Sequence, residues 1–182
     1  MAALDRIKPA LAKEICQQYA PSPGSSALLK DDAAPEVFLK ALLDNSQFDD
    51  AVQFLAHALP PQDAIWWACL CLGQAAGKKL GFVESVVLRK VVGWLRKSDE
   101  VHRRAVAGPA QGIVEHNPAS AIARAVLATP TPPKGKPPAA VLASQAILQA
   151  ADLAEAKIRD VPLCQFLALG IGIAKGKHSC QS

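Results

Sequence analysis

Apolar residues recur at three and four along almost the whole chain. Leu11, Ile15 and Tyr19 mark one face of a first helix, with Pro9 near its start. Ser22 can cap a short second helix that has Pro23 at its first position. Pro35 opens a third, carrying Val37, Phe38, Leu39, Leu42 and Leu43. Ser46 can cap a fourth, in which Phe48, Val52, Leu55, Ala56 and Leu59 repeat at helical spacing. Pro61 opens a helix that Gly77 is placed to end. Its run from Ala64 to Gly73 has no charged or amide side chain and holds Trp66, Trp67, Cys69 and Cys71. A helix that is apolar all round is a central one.

The segment from Phe82 to Lys97 reads as an amphipath. Val83, Val86, Val87, Val91 and Trp94 are spaced to face a core, and Glu84, Arg89, Lys90, Arg96 and Lys97 take most other positions. Ser98, Asp99 and Glu100 read as a cap and acidic first turn for the next helix. Two short helices are expected around Asn117-Pro118. Residues 129–138, "TPTPPKGKPP", read as a linker, partly polyproline II. Ala139 to Asp160 then reads as one alanine-rich helix, and Pro162 begins a last one.

No stretch alternates with period two, so no sheet is expected. The reading is all-α: an irregular antiparallel helix bundle or a short α-solenoid of about seven to nine helices. Residues 1–128 form a helical domain around a central helix near 61–76. After the linker, residues 139–175 form a helix pair on the same core, and 176–182 a frayed tail.

Composition agrees. The chain has 182 residues, 51% hydrophobic and 20% charged, with only 5% aromatic, which favours a globular, helix-rich core. The N-terminal "MAALDRIKPALAKEIC" is too broken by charge to be a signal peptide. No apolar run reaches the roughly 20 residues of a membrane span. Five cysteines, mostly in apolar helical settings, point to a reduced, cytoplasmic protein with buried thiols.

Candidate chemistry fails on geometry. Cys69 and Cys71 stand two apart on a helix, about 200° around its axis, and cannot grip one metal. "GQAAGKK" has one residue too few between its glycines for a phosphate loop and lacks the hydroxyl after its lysine. "GIGIAKG" lacks both the spacing and the βαβ setting of a dinucleotide fingerprint. His57, His102, His116 and His178 stand in no catalytic string. His57, near a helix C-terminus, sits where positive charge is favoured. Asp49-Asp50 read as an exposed acidic first turn. No catalytic residue, cofactor or metal is expected.

Charge is more informative. From 31 to 63 the acids are Asp31, Asp32, Glu36, Asp44, Asp49, Asp50 and Asp63, against Lys40 alone. From 64 to 104 Lys78, Lys79, Arg89, Lys90, Arg96, Lys97, Arg103 and Arg104 outweigh Glu84, Asp99 and Glu100. Such a pair of faces can steer a protein partner or head-to-tail self-association. The bases lack the aromatic interleaving that nucleic acid binding uses, so no nucleic acid partner is expected.

The string "FLKALLDNSQFDDAVQFLAHALPPQDAIWWACLC" resembles an uncharacterised bacterial family whose members carry "FLAHALPP" followed by "AVWWAC". They also place a Pro-rich stretch before an alanine-rich final helix pair. Here "VLATPTPP" stands where members have a glycine- and serine-containing stretch. The resemblance implies an all-helical cytoplasmic protein, accessory to type VI secretion as adaptor, chaperone or regulator. It supplies no catalytic residues.

The expected function is therefore a non-catalytic helical interaction module. Its docking surface is expected at the "HALPPQ" turn, with His57, Gln62 and Asp63, and at a basic face of Arg89, Lys90, Arg96 and Lys97. An immunity-type or effector-binding protein is the alternative, and an enzyme of unrecognised type the second.

Overall fold

A computed structural model describes residues 4–114, 116–130, 138–154, 156 and 158–178. Most of the expected linker, and residues 179–182 of the expected tail, lie outside the described residues. The described residues are all-α, with no strand among them. In chain order the helices are α1 (Ala12–Cys16), α2 (Pro23–Ser26), α3 (Pro35–Asp44), α4 (Phe48–Ala58) and α5 (Pro61–Ala76). A 3₁₀ turn at Gly77–Lys79 precedes α6 (Phe82–Lys97), α7 (Glu100–Arg104) and α8 (Ala107–Ala110). Then come α9 (Pro118–Leu127), α10 (Ala139–Leu153) and α11 (Asp160–Ala174). The series is longer than the seven to nine expected because pieces as short as α2 and α8 are separate helices. None of the described helices is long and apolar enough to cross a membrane.

The arrangement is a bundle and not a solenoid, because helices far apart in sequence pack together. α10 packs mainly on α5 and α9 and also on α4, while α11 returns to α4 and α5. Alanine makes this close approach feasible. Ala119, Ala121, Ala123 and Ala125 of α9 and Ala143, Ala146 and Ala150 of α10 are fully buried. Leu39, Phe54, Leu55, Ile65, Trp67, Ile122 and Ile147 fill the spaces between.

Trp67 is central as expected: its side chain is fully buried and its Nε1 donates to the Phe166 carbonyl at 2.7 Å. Its ring lies so close to Gly170 that a Cβ there would stand 2.6 Å from Trp67 Cε2 and 2.8 Å from Leu55 Cδ2. The glycine thus sets the spacing of α11 against α5. But α5 is not covered all round. Gln62, Trp66, Leu70 and Gly73, spaced at four, four and three, form a partly exposed stripe. Trp66 Nε1 donates to the His178 carbonyl at 2.7 Å. Residues 176–178 of the expected frayed tail are therefore tied down, with Lys177 N also donating to Gly172 O at 2.8 Å.

Other expectations are corrected by packing. Ser46 does not cap α4; it has φ 57° and closes α3, with Ser46 N donating to Leu43 O and Gln47 N to Leu42 O. Ser98 likewise ends α6 in the left-handed region, and Asp99 caps α7 through its Oδ1, 2.7 Å from His102 N. Ser22 does cap α2, accepting from Ser25 N at 3.3 Å. On α6 the buried face is Val87, Val91, Trp94 and Leu95, while Val83 is exposed and Val86 only half-buried. α10 stops at Leu153, short of Asp160, where the chain must turn to bring α11 back. Arg159 holds that turn, pairing with Asp152 at 2.6 Å and with Asp49 at 2.7 Å. Asp50 is not an exposed first-turn acid. It is buried and accepts from Ser22 N (3.2 Å), Ser22 Oγ (2.5 Å) and Ser25 Oγ (2.6 Å), pinning α2 to α4.

Candidate functional site

The Pro-Pro entrance to α5 forms one wall of a cleft of about 370 Å³. Local chemistry explains its shape. α4 ends at Ala58, Leu59 and Pro60 are extended, and Pro61 takes the first helical position, where its missing N–H leaves no bond unmade. The opposite wall is the corner from α6 into α7. Ser98, at φ 53°, reverses the chain there, and Gln62 Nε2 donates across the cleft to Ser98 Oγ at 3.0 Å. Trp94 lies at the base, and Thr129 and Pro130 close the third side.

The polar rim is already internally paired. Arg103 donates to both Glu100 oxygens at 2.6 and 2.9 Å and to the Leu127 carbonyl at 2.9 Å. Arg104 adds a further bond to Glu100 at 2.7 Å. Hydrogen bonds from the two guanidiniums bring the Glu100 carboxyl down to about 2. The backbone N–H and then the ring of His102 hold Asp99 below its usual value. The cleft therefore offers prolines over a nearly buried Trp94, framed by fixed and mutually compensated charges. Such a surface suits an extended peptide segment better than a small charged substrate.

The residues expected at the turn do not share one surface. Gln62 is at the rim of the cleft. Asp63 is turned inward and buried, with Arg6 Nε 2.8 Å from its Oδ2. Burial outweighs that guanidinium and leaves the Asp63 carboxyl above its ordinary value. His57 is buried too, stacked on Tyr19 with ring centroids 4.9 Å apart, and its Nδ1 is 2.8 Å from the Gln53 carbonyl. Burial lowers its pKa against the smaller opposing effect of that carbonyl. The positive charge expected on His57 at the helix end is thus disfavoured, because desolvation exceeds the pull of the helix terminus. Neither His57 nor Asp63 presents a side chain to a partner. Arg89, Lys90, Arg96 and Lys97 are all exposed on the outer face of α6.

Cys16, Cys69 and Cys71 are buried, and burial pushes the Cys16 and Cys71 thiols up, as for small core hydrophobes. Among the described residues no three His, Cys, Asp or Glu side chains are grouped to hold a metal. Trp94, Ser98, Glu100, Arg103 and Pro130 were not legible as cleft residues. Their separation from Pro60 in sequence hides them; only the packing of α6 and α9 beside α5 joins them.

Fold and cleft together define an all-helical protein of one bundle, with a cleft at a proline turn. The chain belongs to DUF6931, a family of unknown function, whose model matches residues 38–174. That span runs from α3 to the end of α11 and contains the whole cleft. No curated protein and no solved structure matches the chain.

Proposed function

We propose that the protein is a non-catalytic interaction module that grips an extended segment of a partner protein in the Pro60–Pro61 cleft. The observation that carries this reading is the cleft itself. Its apolar base and its spent polar rim favour a peptide over a reacting substrate. The exposed basic face of α6 serves as a second contact. The setting is the one implied by the resemblance: a bacterial cytoplasmic protein, adaptor, chaperone or regulator, accessory to a larger assembly of the type VI secretion kind. Free thiols, buried at Cys16, Cys69 and Cys71 and exposed at Cys164, are compatible with that reduced compartment.

Gln62→Trp tests the reading, since Gln62 is half-exposed and a larger ring would fill the cleft without disturbing the core. Affinity capture from the native host should return a specific protein with the wild type and at least about tenfold less with the variant. Equal capture by both would sink the cleft as the docking site.

A further inference from the structure

The outer face of α6 carries two features that the bundle does not use. At 100° per residue, Phe82, Val86 and Gly93 fall within about 40° of one another. Arg89 and Arg96 border this seam on one side, and Lys90 and Lys97 on the other, all within an arc of about 120°. Phe82 is 80% exposed, the most exposed large apolar side chain among the described residues. Gly93 lies mid-helix, where glycine disfavours the helix, yet its own packing does not demand it. An added Cβ would meet only His102 Cδ2, at an ordinary 3.7 Å. The glycine leaves a dent in the seam, bordered on one side by the His102 ring.

The four cations are also unspent. Arg6, Arg103, Arg104 and Arg159 each pair with a carboxylate. Arg89, Lys90, Arg96 and Lys97 have no ion pair among the described residues. The neighbouring acids Asp99 and Glu100 are taken chiefly by His102, Arg103 and Arg104, with Lys97 adding only the smallest pull on Asp99. Each cation row repeats at seven, Arg89 to Arg96 and Lys90 to Lys97. Seven is the spacing at which flanking charges of one helix meet those of another laid along it.

We propose that this face docks an amphipathic helix of a partner protein, one whose apolar seam is bordered by acidic side chains. The seam would take the partner's apolar row, with one partner side chain entering over Gly93 and another packing on Phe82, about 16 Å away along the helix. The two cation rows would meet its two acidic rows and fix its register. A membrane surface is the poorer fit, because Phe82 is the only large apolar side chain the seam offers for insertion. A nucleic acid backbone would use the cations but leave the paired rows and the dent unexplained. The proposal rests on the reading of the protein as a docking module, but it concerns α6 and not the cleft.

The test uses the whole protein and a labelled synthetic helical peptide, with a leucine seam flanked by glutamate at heptad spacing. Its controls are the same peptide with lysine for glutamate, phosphatidylglycerol vesicles and duplex DNA. The acidic peptide should bind, and added salt should weaken it. Arg89→Glu with Arg96→Glu should reduce affinity at least about tenfold, and Phe82→Ala several-fold. Where charge reversal lowers the melting temperature, Arg89→Gln with Arg96→Gln replaces it and should still weaken binding. Gln62→Trp should leave peptide binding unchanged. No binding, equal binding of the lysine peptide, or indifference to the α6 variants would overturn the proposal. So would vesicles or DNA taking the face in preference to the peptide. Failure of the peptide while Gln62→Trp still abolishes host capture would remove this proposal and leave the cleft reading standing.

Discussion

His57 shows most plainly how burial changes a residue's role. A histidine near the end of α4 should welcome a proton, but this one is enclosed against Tyr19, and its Nδ1 meets the Gln53 carbonyl. Its folded pKa is lowered, chiefly by desolvation. The unfolded chain binds the proton more readily, so the stability contributed by neutral His57 is complete above about pH 6.5. It is lost as pH falls from there toward the lowered folded value, by at most about 1.4 kcal/mol per pH unit. His57→Phe keeps a ring on Tyr19 and removes the titration. Urea midpoints at pH 7.5 and 5.5 should fall with acid more in the wild type than in the variant. An identical fall in both would show that His57 does not resist protonation. Neighbouring positions tell the same story: Asp50 and Asp63 look like solvated acids on paper and are buried in three dimensions.

At the scale of elements, the helices are set by pattern and their ends by packing. Pro23, Pro35, Pro61 and Pro118 all start helices, as the fixed φ and missing N–H of proline dictate. Ser46 and Ser98, which look like starts, are stops, because each adopts positive φ to let the chain reverse. α5 carries the clearest consequence. Trp66 and Trp67 point about 100° apart, one to the half-open stripe beside His178 and one into the core beside Phe166. Trp67→Ala should destabilise by about 3–5 kcal/mol, as for other large core deletions. Trp66→Ala should cost about 1–2 kcal/mol, near one lost hydrogen bond and partial burial. Denaturant unfolding of both variants checks this, and equal losses would contradict the assigned orientation of α5.

Across the whole molecule, stability is unevenly distributed. α4, α5, α9 and α10 form the most buried part, whereas α7 and α8 contribute no buried residue of their own. α7 also forms the outer wall of the cleft. Amide exchange should therefore open α7 and α8 first, with protection in α5 and α10 approaching that of global unfolding. Uniform protection would mean that the cleft wall is as rigid as its base. The sequence by itself determined the helical class, the positions of α3, α4, α5 and α6, the central place of α5 though not which of Trp66 and Trp67 is buried, and the separation of acidic from basic segments. Those are properties of local period, proline and glycine punctuation, and charge order along a chain. Only the tertiary structure decided that the helices make a bundle, that α10 lies among α4, α5 and α9, and that His57 and Asp63 are hidden. It alone brought Ser98, Arg103 and Pro130 to the Pro60–Pro61 turn and left Phe82 exposed and Val86 half-buried. The physical reason is that an amphipathic period tells which residues share a side of a helix. Which sides are covered, and by what, depends on contacts between segments far apart in the chain.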